Sequence, residues 1–259
     1  MLSCLILTSN GLRHAFVANL LQKNFNLVGV VAEEKPVRKS NLQTDIVNHL
    51  RERDLVENQY FGSFKGVFDN SNVLKIKSGE VNDKRTVKWI LDNNPDYIVL
   101  FGSGLIKSEI LNIYKDKVIN LHLGLSPYYR GTATNFWPIV YGEPECIGAT
   151  IHLASEEIDG GEILSQKRPD LSSGDSFHYI GCKAIMAGAE CLISSIQKYE
   201  KGVIKPLHQD LGSGKLFRSS DMSKEAIAIA KINLDNLLLQ KYLSNKKYLD
   251  STKPIINQI

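Results

Sequence analysis

An unbroken apolar run, Tyr97–Phe101, is the feature that most restricts how this chain can fold. A strand without polar alternation is buried on both faces, which is typical of the central strands of a parallel sheet. The start of the chain agrees, because apolar runs at 2–7 and 25–31 flank a turn and a helical pattern at 12–22. Strand, helix and strand in this order form a βαβ unit. The sequence therefore predicts an α/β fold with a mostly parallel sheet and helices on both faces.

Composition and charge place the chain among ordinary globular proteins. It has 259 residues, of which 43% are hydrophobic and 23% charged, enough for one large domain or for a domain plus a small appendage. The net charge of +3 argues against a strongly basic nucleic-acid binder. No apolar run reaches the roughly 20 residues of a membrane helix, and the N-terminus lacks the basic region of a signal peptide. With no export signal, the four cysteines are expected to be reduced thiols in a cytoplasmic protein.

Two turns that follow predicted strands are candidate ligand sites. Asn10 lies in the first, and Arg13 and His14 in the next helical turn could meet a phosphate, although a solvated helix start explains the same residues. Gly102-Ser103-Gly104 follows the long apolar run and would let the backbone approach a flat ligand. This turn is half of a dinucleotide fingerprint, so a nicotinamide-dependent oxidoreductase is an alternative, but the third glycine would fall at Lys107.

The remaining pattern alternates between helices and loops. A charged loop is expected over 32–41, a helix over 42–58, an irregular stretch over 60–72 and a helix over 131–141. A long helix over 174–199, ended by Gly202, would close the sheet domain, and 203–259 would form a short C-terminal extension.

A polar pair interrupts the apolar strand at 117–122. Period-two alternation places Asn120 and His122 on one face, where burial is costly without partners, and both a structural and a functional pair explain this. The next strand, 147–154, carries His152, which we interpret as a sheet histidine. It leads to Asp159, whose Asp-Gly context also fits a plain hairpin turn. If both strands end on the same side of the sheet, an amide, an imidazole and a carboxylate come together.

Three segments resemble the signature of the folate-dependent formyltransferases. They are Asn120-Leu121-His122, the turn LSPYYRG at 125–131, and EIDGGEIL at 157–164. The likeness covers 97–166 well and the N-terminal βαβ region loosely, and it implies the Rossmann-like formyltransferase fold. Two departures concern the turn. Gly124-Leu125-Ser126-Pro127 stands where the family usually has Ser-Leu-Leu-Pro, and Leu123 stands where Pro, Ala or Gly is common.

The resemblance implies a role for each part of the site. Asn120 and His122 would face the formyl carbon of N10-formyltetrahydrofolate, with Asp159 beside His122 to orient it and help relay a proton. The pterin would lie between two loops, which are Phe101, Gly102, Ser103, Gly104, Leu105 and Ile106, and Ala154, Ser155, Glu156, Glu157 and Ile158. The acceptor would contact Asn10, Arg13, His14, Tyr128, Tyr129, Arg130 and Gly131. No metal is required.

Three branches of the family share this core and differ in the acceptor amine. A glycinamide ribonucleotide transformylase would end near Gly202, and a methionyl-tRNA formyltransferase would carry a larger C-terminal domain than 203–259. The short extension resembles the sugar-nucleotide N-formyltransferases, and the aromatic-rich region 128–137 suits a sugar and a base. The resemblance therefore implies an amino-sugar nucleotide acceptor, a role in surface polysaccharide synthesis and a homodimer, without nucleic-acid or membrane partners. A non-catalytic nucleotide- or folate-binding module is the alternative of another class.

Overall fold

A seven-stranded sheet organises the computed structural model, which describes residues 1–34, 44–64 and 72–259. The strands are β1 (Ser3–Ser9), β2 (Asn26–Glu34), β3 (Val73–Lys77), β4 (Tyr97–Phe101), β5 (Val118–His122), β6 (Tyr129–Gly131), β7 (Ala149–Leu153), β8 (Ile163–Lys167) and β9 (Lys215–Phe217). The sheet order is β3-β2-β1-β4-β5-β7-β8, and β6 pairs separately with β9. The five strands β3, β2, β1, β4 and β5 are parallel to one another. β7 is antiparallel to both of its neighbours, β5 and β8.

Helices cover both faces of this sheet. They are α1 (Leu12–Asn24), α2 (Thr44–Phe61), α3 (Lys84–Asn93), α4 (Ser108–Ile113), α5 (Trp137–Tyr141), α6 (Phe177–Glu200), α7 (Lys224–Asp235), α8 (Leu238–Ser244) and α9 (Lys246–Thr252). In β4, Val99 packs with α1, α2 and α6, and Ile98 packs with α3 and α4 on the opposite face. Both faces of Tyr97–Phe101 are buried, so the predicted mostly parallel α/β architecture is confirmed.

The long helix α6 belongs to the core of the sheet domain. It is the one helix among the described residues with the length and apolar composition to cross a membrane, but 56% of its most apolar window is buried inside the protein. Cys182, Ile185 and Leu192 pack in the same cluster as Val99. We interpret α6 as the core helix predicted over 174–199.

The segment after Gly202 packs against the rest of the chain at several points. β9 lies alongside β6, and Ile163 and Leu207 exchange both of their backbone hydrogen bonds. Near the end of the chain, the Gln166 backbone N–H donates to the carbonyl of Ile256 at 2.6 Å. The division at 202 stays a prediction, while these contacts show that 203–259 is built onto β6 and β8.

Several predicted elements have different limits in the structure. The helix predicted over 131–141 is only α5, because Gly131 pairs with β9 as the end of β6 and residues 132–136 form a bend and a turn, in which Ala133 has φ of 58°. The helix predicted over 42–58 is α2, which continues to Phe61. The loop predicted over 32–41 begins later, since β2 runs through Glu34. Its residues 35–41, and 65–71 of the irregular stretch, lie outside the described residues.

Two histidines that face each other, His49 on α2 and His178 on α6, are expected to make stability depend on pH. The ring centroids of His49 and His178 lie 4.6 Å apart, and both rings pack against Phe177. Burial, with nearby positive charge, lowers the pKa of His49 to about 4 and that of His178 to about 3. An unfolded histidine has a pKa of about 6.5, so below that pH the unfolded chain binds protons that the folded chain does not.

We expect the melting temperature to fall as pH decreases from about 6.5 to about 5, a window above the ordinary carboxyl pKa values. The double variant His49→Gln/His178→Gln removes both titrations, so its melting temperature should change less across the window. Scanning fluorimetry at constant ionic strength measures this. A wild-type melting temperature that is constant over the window would contradict the expectation.

Candidate active site

Asn120, His122 and Asp159 come together, but by a different route from the one expected. β5 and β7 are antiparallel neighbours, with Ile119 opposite Leu153. The carboxyl ends of the two strands therefore point in opposite directions. The expectation that both end on the same side is therefore wrong. The N–H of Ala154 donates to the Val118 carbonyl at 2.8 Å, and the chain then folds back to bring Asp159 to the face of β5.

The four side chains of this cluster meet within hydrogen-bonding distance. The Asn120 amide Nδ2 donates to Asp159 Oδ1 at 3.2 Å and to His152 Nε2 at 2.9 Å. Asp159 Oδ2 lies 3.3 Å from His122 Nδ1 and accepts from the Gly131 N–H at 2.8 Å. Asp159 also has a left-handed backbone, with φ of 48°. Amide, imidazole and carboxylate therefore form one connected polar network on β5.

The protonation of the cluster follows from its hydrogen bonds. His122 Nε2 lies 3.0 Å from the Tyr129 carbonyl, which can only accept, so Nε2 carries a proton. Burial lowers the pKa of His122, against the opposing effect of Asp159. Burial alone would raise the pKa of Asp159, but His122, His152 and the Gly131 N–H together hold it well below its usual range. The carboxylate of an ionised Asp159 thus faces His122 Nδ1, and this Nδ1–Oδ2 contact is where the network can hold a proton.

His152 is a member of this network that the sequence interpretation left out. Its Nδ1 donates to the Leu153 carbonyl at 2.8 Å, which leaves Nε2 to accept from Asn120. His152 therefore fixes the orientation of the Asn120 amide. The cross-strand pairing of Asn120 with His152 is the signal that identifies it, and this signal needs the antiparallel register of β5 and β7.

The Gly-rich turn after β4 is held by Glu33 at the end of β2. One Glu33 carboxylate oxygen accepts from the Gly104 N–H at 2.6 Å and the other from the Gly79 N–H at 2.7 Å. Gly102 has φ of 72°, and a Cβ there would lie 2.7 Å from His14 Nε2. A dinucleotide fold uses an acidic residue in this part of the sheet for ribose, but both Glu33 oxygens already bind backbone. This arrangement does not support the oxidoreductase alternative.

The two loops predicted to hold the pterin each contribute a residue to one apolar cluster. Ala154 packs against the apolar cluster that contains Ile106 and Leu100. Leu105 is 64% exposed, and Glu156 and Glu157 are exposed beyond Ala154. An exposed apolar side chain on one loop and exposed carboxylates on the other fit a flat ring that carries N–H donors. Within the described residues, no three His, Cys, Asp or Glu side chains are grouped to hold a metal ion.

The residues predicted at the first helix start contact protein groups. Arg13 forms an ion pair with Glu57 of α2, and its Nε donates to that carboxylate at 3.1 Å. His14 is buried, with its ring 5.2 Å from that of Phe101, and Asn10 is exposed. The structure therefore does not present Arg13 as an unpaired cation for a phosphate, and the roles of all three residues stay predictions.

The residues from Tyr128 to Gly131 mainly contact the C-terminal segment. The Tyr128 hydroxyl donates to the Pro254 carbonyl at 2.8 Å, and the Tyr129 ring stacks on Phe217. Trp137 stacks on the same Phe217 ring at 4.5 Å. Tyr129 is 1% exposed and Trp137 5%, so neither can stack on a sugar or a base, and that part of the interpretation is wrong. Gly131 is joined to the candidate site through its contact with Asp159.

The fold and the site define an α/β protein whose central strand presents an amide–imidazole–carboxylate network suited to transfer of a carbonyl-bearing group. This chain belongs to the formyl transferase family, whose model matches residues 8–196. It is 32% identical to a methionyl-tRNA formyltransferase from Thermodesulfovibrio yellowstonii over 158 residues, which are 61% of this chain and 49% of that protein. The chain thus spans about half the length of this relative.

Solved structures of the family share the fold. A phosphoribosylglycinamide formyltransferase from Anaplasma phagocytophilum aligns with a TM-score of 0.58 and 17% identity, over 84% of this chain and 98% of that one. A formyltransferase from Anoxybacillus kamchatkensis, in complex with UDP-4,6-dideoxy-4-formamido-L-AltNAc and tetrahydrofolate, aligns with a TM-score of 0.51 and 19% identity, over 85% and 87%. At these identities the likeness concerns the fold, and the formyltransferase fold predicted from the sequence is confirmed.

Proposed function

We propose that this protein transfers the formyl group of N10-formyltetrahydrofolate to the amine of an amino-sugar nucleotide. The observation that carries the proposal is the network of Asn120, His122, His152 and Asp159 on the face of β5. Bound N10-formyltetrahydrofolate would supply the formyl carbon, and the turns at 101–106 and 154–158 would hold its pterin. The non-catalytic alternative gives no reason for four polar side chains to be arranged around a strained aspartate.

The chain's own groups perform two tasks in this reaction. The Asn120 amide has two N–H groups, and it exchanges its longer contact, that with Asp159 Oδ1 at 3.2 Å, for the formyl oxygen as negative charge grows there. Such a donor contributes about 2.7–4 kcal/mol in comparable sites. The attacking amine must lose a proton as its bond to the formyl carbon forms, and the contact between His122 Nδ1 and Asp159 receives it. The same contact returns this proton to N10 as the bond between N10 and the formyl carbon breaks and tetrahydrofolate leaves. Asp159, whose pKa is held low, is a weak base and acts by orienting His122 and stabilising its protonated form.

Similarity to structures that bind sugar nucleotides supports the choice of acceptor. The Anoxybacillus formyltransferase binds a formamido sugar nucleotide together with tetrahydrofolate, and its chain is covered to 87%. The net charge of +3 gives little general attraction for a polyanion such as tRNA. Methionyl-tRNA is the second candidate, because the relative with 32% identity is a methionyl-tRNA formyltransferase.

The setting of the enzyme is part of the same proposal. Cys4, Cys146, Cys182 and Cys191 are all free and buried, which suits a reducing cytoplasm. The homodimer and the role in surface polysaccharide synthesis rest on the resemblance to sugar-nucleotide N-formyltransferases. Light scattering of the purified protein, which gives the molar mass in solution, tests the dimer.

A panel of acceptors tests the proposal. With N10-formyltetrahydrofolate, we expect at least one amino-sugar nucleotide to release tetrahydrofolate and gain a formyl group, which mass spectrometry detects. We expect its kcat/KM to exceed those of methionyl-tRNA and glycinamide ribonucleotide by about 100-fold or more, since specificity is a ratio of kcat/KM values. Reactions without acceptor control for hydrolysis. Transfer to methionyl-tRNA alone would select the second candidate, and no transfer to any acceptor would refute the proposal.

A further inference from the structure

We propose that Gln209 is a positioning residue for Asp159, an inference that rests on the proposed function. Gln209 lies beyond the region that the family model matches and is only 4% exposed. Its side-chain Nε2 donates to the Asp159 carbonyl at 3.0 Å and to the Gly161 carbonyl at 2.5 Å. One amide from the C-terminal segment therefore holds both sides of the Asp159-Gly160-Gly161 turn.

The register of the backbone places Gln209 at this position. Ile163 and Leu207 exchange both backbone hydrogen bonds as an antiparallel pair, at 2.8 and 2.9 Å. Gln209, two residues after Leu207, therefore comes to lie opposite Gly161, two residues before Ile163. Gly161 itself is in close contact with β7, because a Cβ there would lie 1.8 Å from the Leu153 carbonyl oxygen. The turn is thus confined between β7 on one side and Gln209 on the other.

Asp159 needs this support because its own backbone is strained. A non-glycine residue with φ of 48° costs about 1–3 kcal/mol, and persists where the surroundings fix it. Besides Gln209, the Asp159 carbonyl has the Ser126 hydroxyl at 3.4 Å. Without the Gln209 amide, the carbonyl would keep only this longer contact with Ser126, and the carboxylate on the same residue would be held less firmly relative to His122.

A second side chain, that of Arg130, links the Asp159 turn to the C-terminal segment by hydrogen bonds. Arg130 is 8% exposed, and its guanidinium donates to the Ile158 carbonyl at 3.2 Å and to the Leu211 carbonyl at 3.3 Å. Arg130 therefore connects the residue before Asp159 with a residue close to Gln209. These contacts make the C-terminal segment part of the active-site scaffold.

Gln209→Met and Gln258→Met form a matched pair of variants. Methionine keeps the length of the side chain and removes its donors. Gln258 also donates from Nε2 to two carbonyls, those of Leu164 and Lys205 at 2.7 and 2.8 Å, but it does not contact the Asp159 turn. We expect Gln209→Met to lower kcat by about 10- to 100-fold with little change in KM. The reason is that displacing a reacting group slows the chemical step and leaves substrate binding unchanged. We expect Gln258→Met to keep the wild-type kcat.

Equal kcat values in the two variants would overturn the inference. If Gln209→Met does not fold, Gln209→Asn replaces it, since this amide is one methylene shorter and cannot reach both carbonyls.

Ring ¹⁵N signals provide a readout that is independent of the acceptor. We expect those of His122 and His152 to shift in Gln209→Met and to match wild type in Gln258→Met. Unchanged ring signals in Gln209→Met would overturn the inference even if no acceptor is found. Inactivity of the wild-type enzyme with the whole panel would instead refute the proposed function, so the two failures are distinguishable.

Discussion

Replacing Asp159 by asparagine is expected to lower kcat for formyl transfer by about 10²–10⁴-fold while the fold survives. Asparagine has the same shape but one acceptor oxygen, and the carboxylate uses both oxygens, for the Gly131 N–H and for Asn120. It also removes the negative charge beside His122 Nδ1, so the protonated ring loses the group that stabilises it. Steady-state kinetics with the best acceptor of the panel and a melting curve measure the two effects.

Asp170→Asn is the matched control, because Asp170 is exposed and lies beyond the end of β8. It should keep the wild-type kcat. His122→Ala should cost about as much as Asp159→Asn, and the double variant little more than either, since groups that act as one unit are not additive. Wild-type turnover in both single variants would show that the network does not perform the chemistry.

Gly161→Ala is expected to destabilise the protein by about 3 kcal/mol, the upper part of the usual range for overpacking. The added methyl would lie 1.8 Å from the Leu153 carbonyl oxygen, and this neighbour is backbone, which cannot rotate away. The melting temperature should therefore fall by roughly 6–12 °C, at about 2–4 °C per kcal/mol for a chain of this size. Variant protein that folds should also have a reduced kcat, because the backbone movement that relieves this clash displaces Asp159.

Gly174→Ala is the control for this substitution. No atom lies within 4 Å of a Cβ built at Gly174, so the methyl enters open space. Its melting temperature should stay close to that of wild type. A Gly161→Ala protein with unchanged stability would mean that the Asp159 turn has more room than the contact with Leu153 allows.

Local patterns identified the sheet and part of the site. The unbroken run Tyr97–Phe101 predicts a strand covered on both faces, and β4 contributes to the apolar cluster on each. Alternation alone places Asn120 and His122 on one face of β5. Asp159 was an ambiguous hairpin residue on local evidence, and only the resemblance of the ordered segments assigned it to the site. The hairpin itself is also present, since β7 and β8 pair as antiparallel neighbours.

The partners of these residues could not be derived in the same way. Glu33 reads as one more charge in a polar stretch, yet it joins two loops through backbone N–H groups of Gly79 and Gly104. Tyr129 reads as a ligand-facing aromatic, yet Phe217 covers it. In each case the partner is far away in sequence, and local pattern carries no information about such a pairing.

The sequence by itself determined the class of fold, the strand that carries the polar pair and the family signature, because hydrophobic periodicity and short motifs act over a few residues. Only the tertiary structure decided how the site is assembled. The antiparallel register of β5 and β7 joins His152 to Asn120, and the return of the C-terminal segment brings Gln209 to the Asp159 turn. Strand direction and long-range docking depend on how whole elements pack, so they exist only in the folded chain.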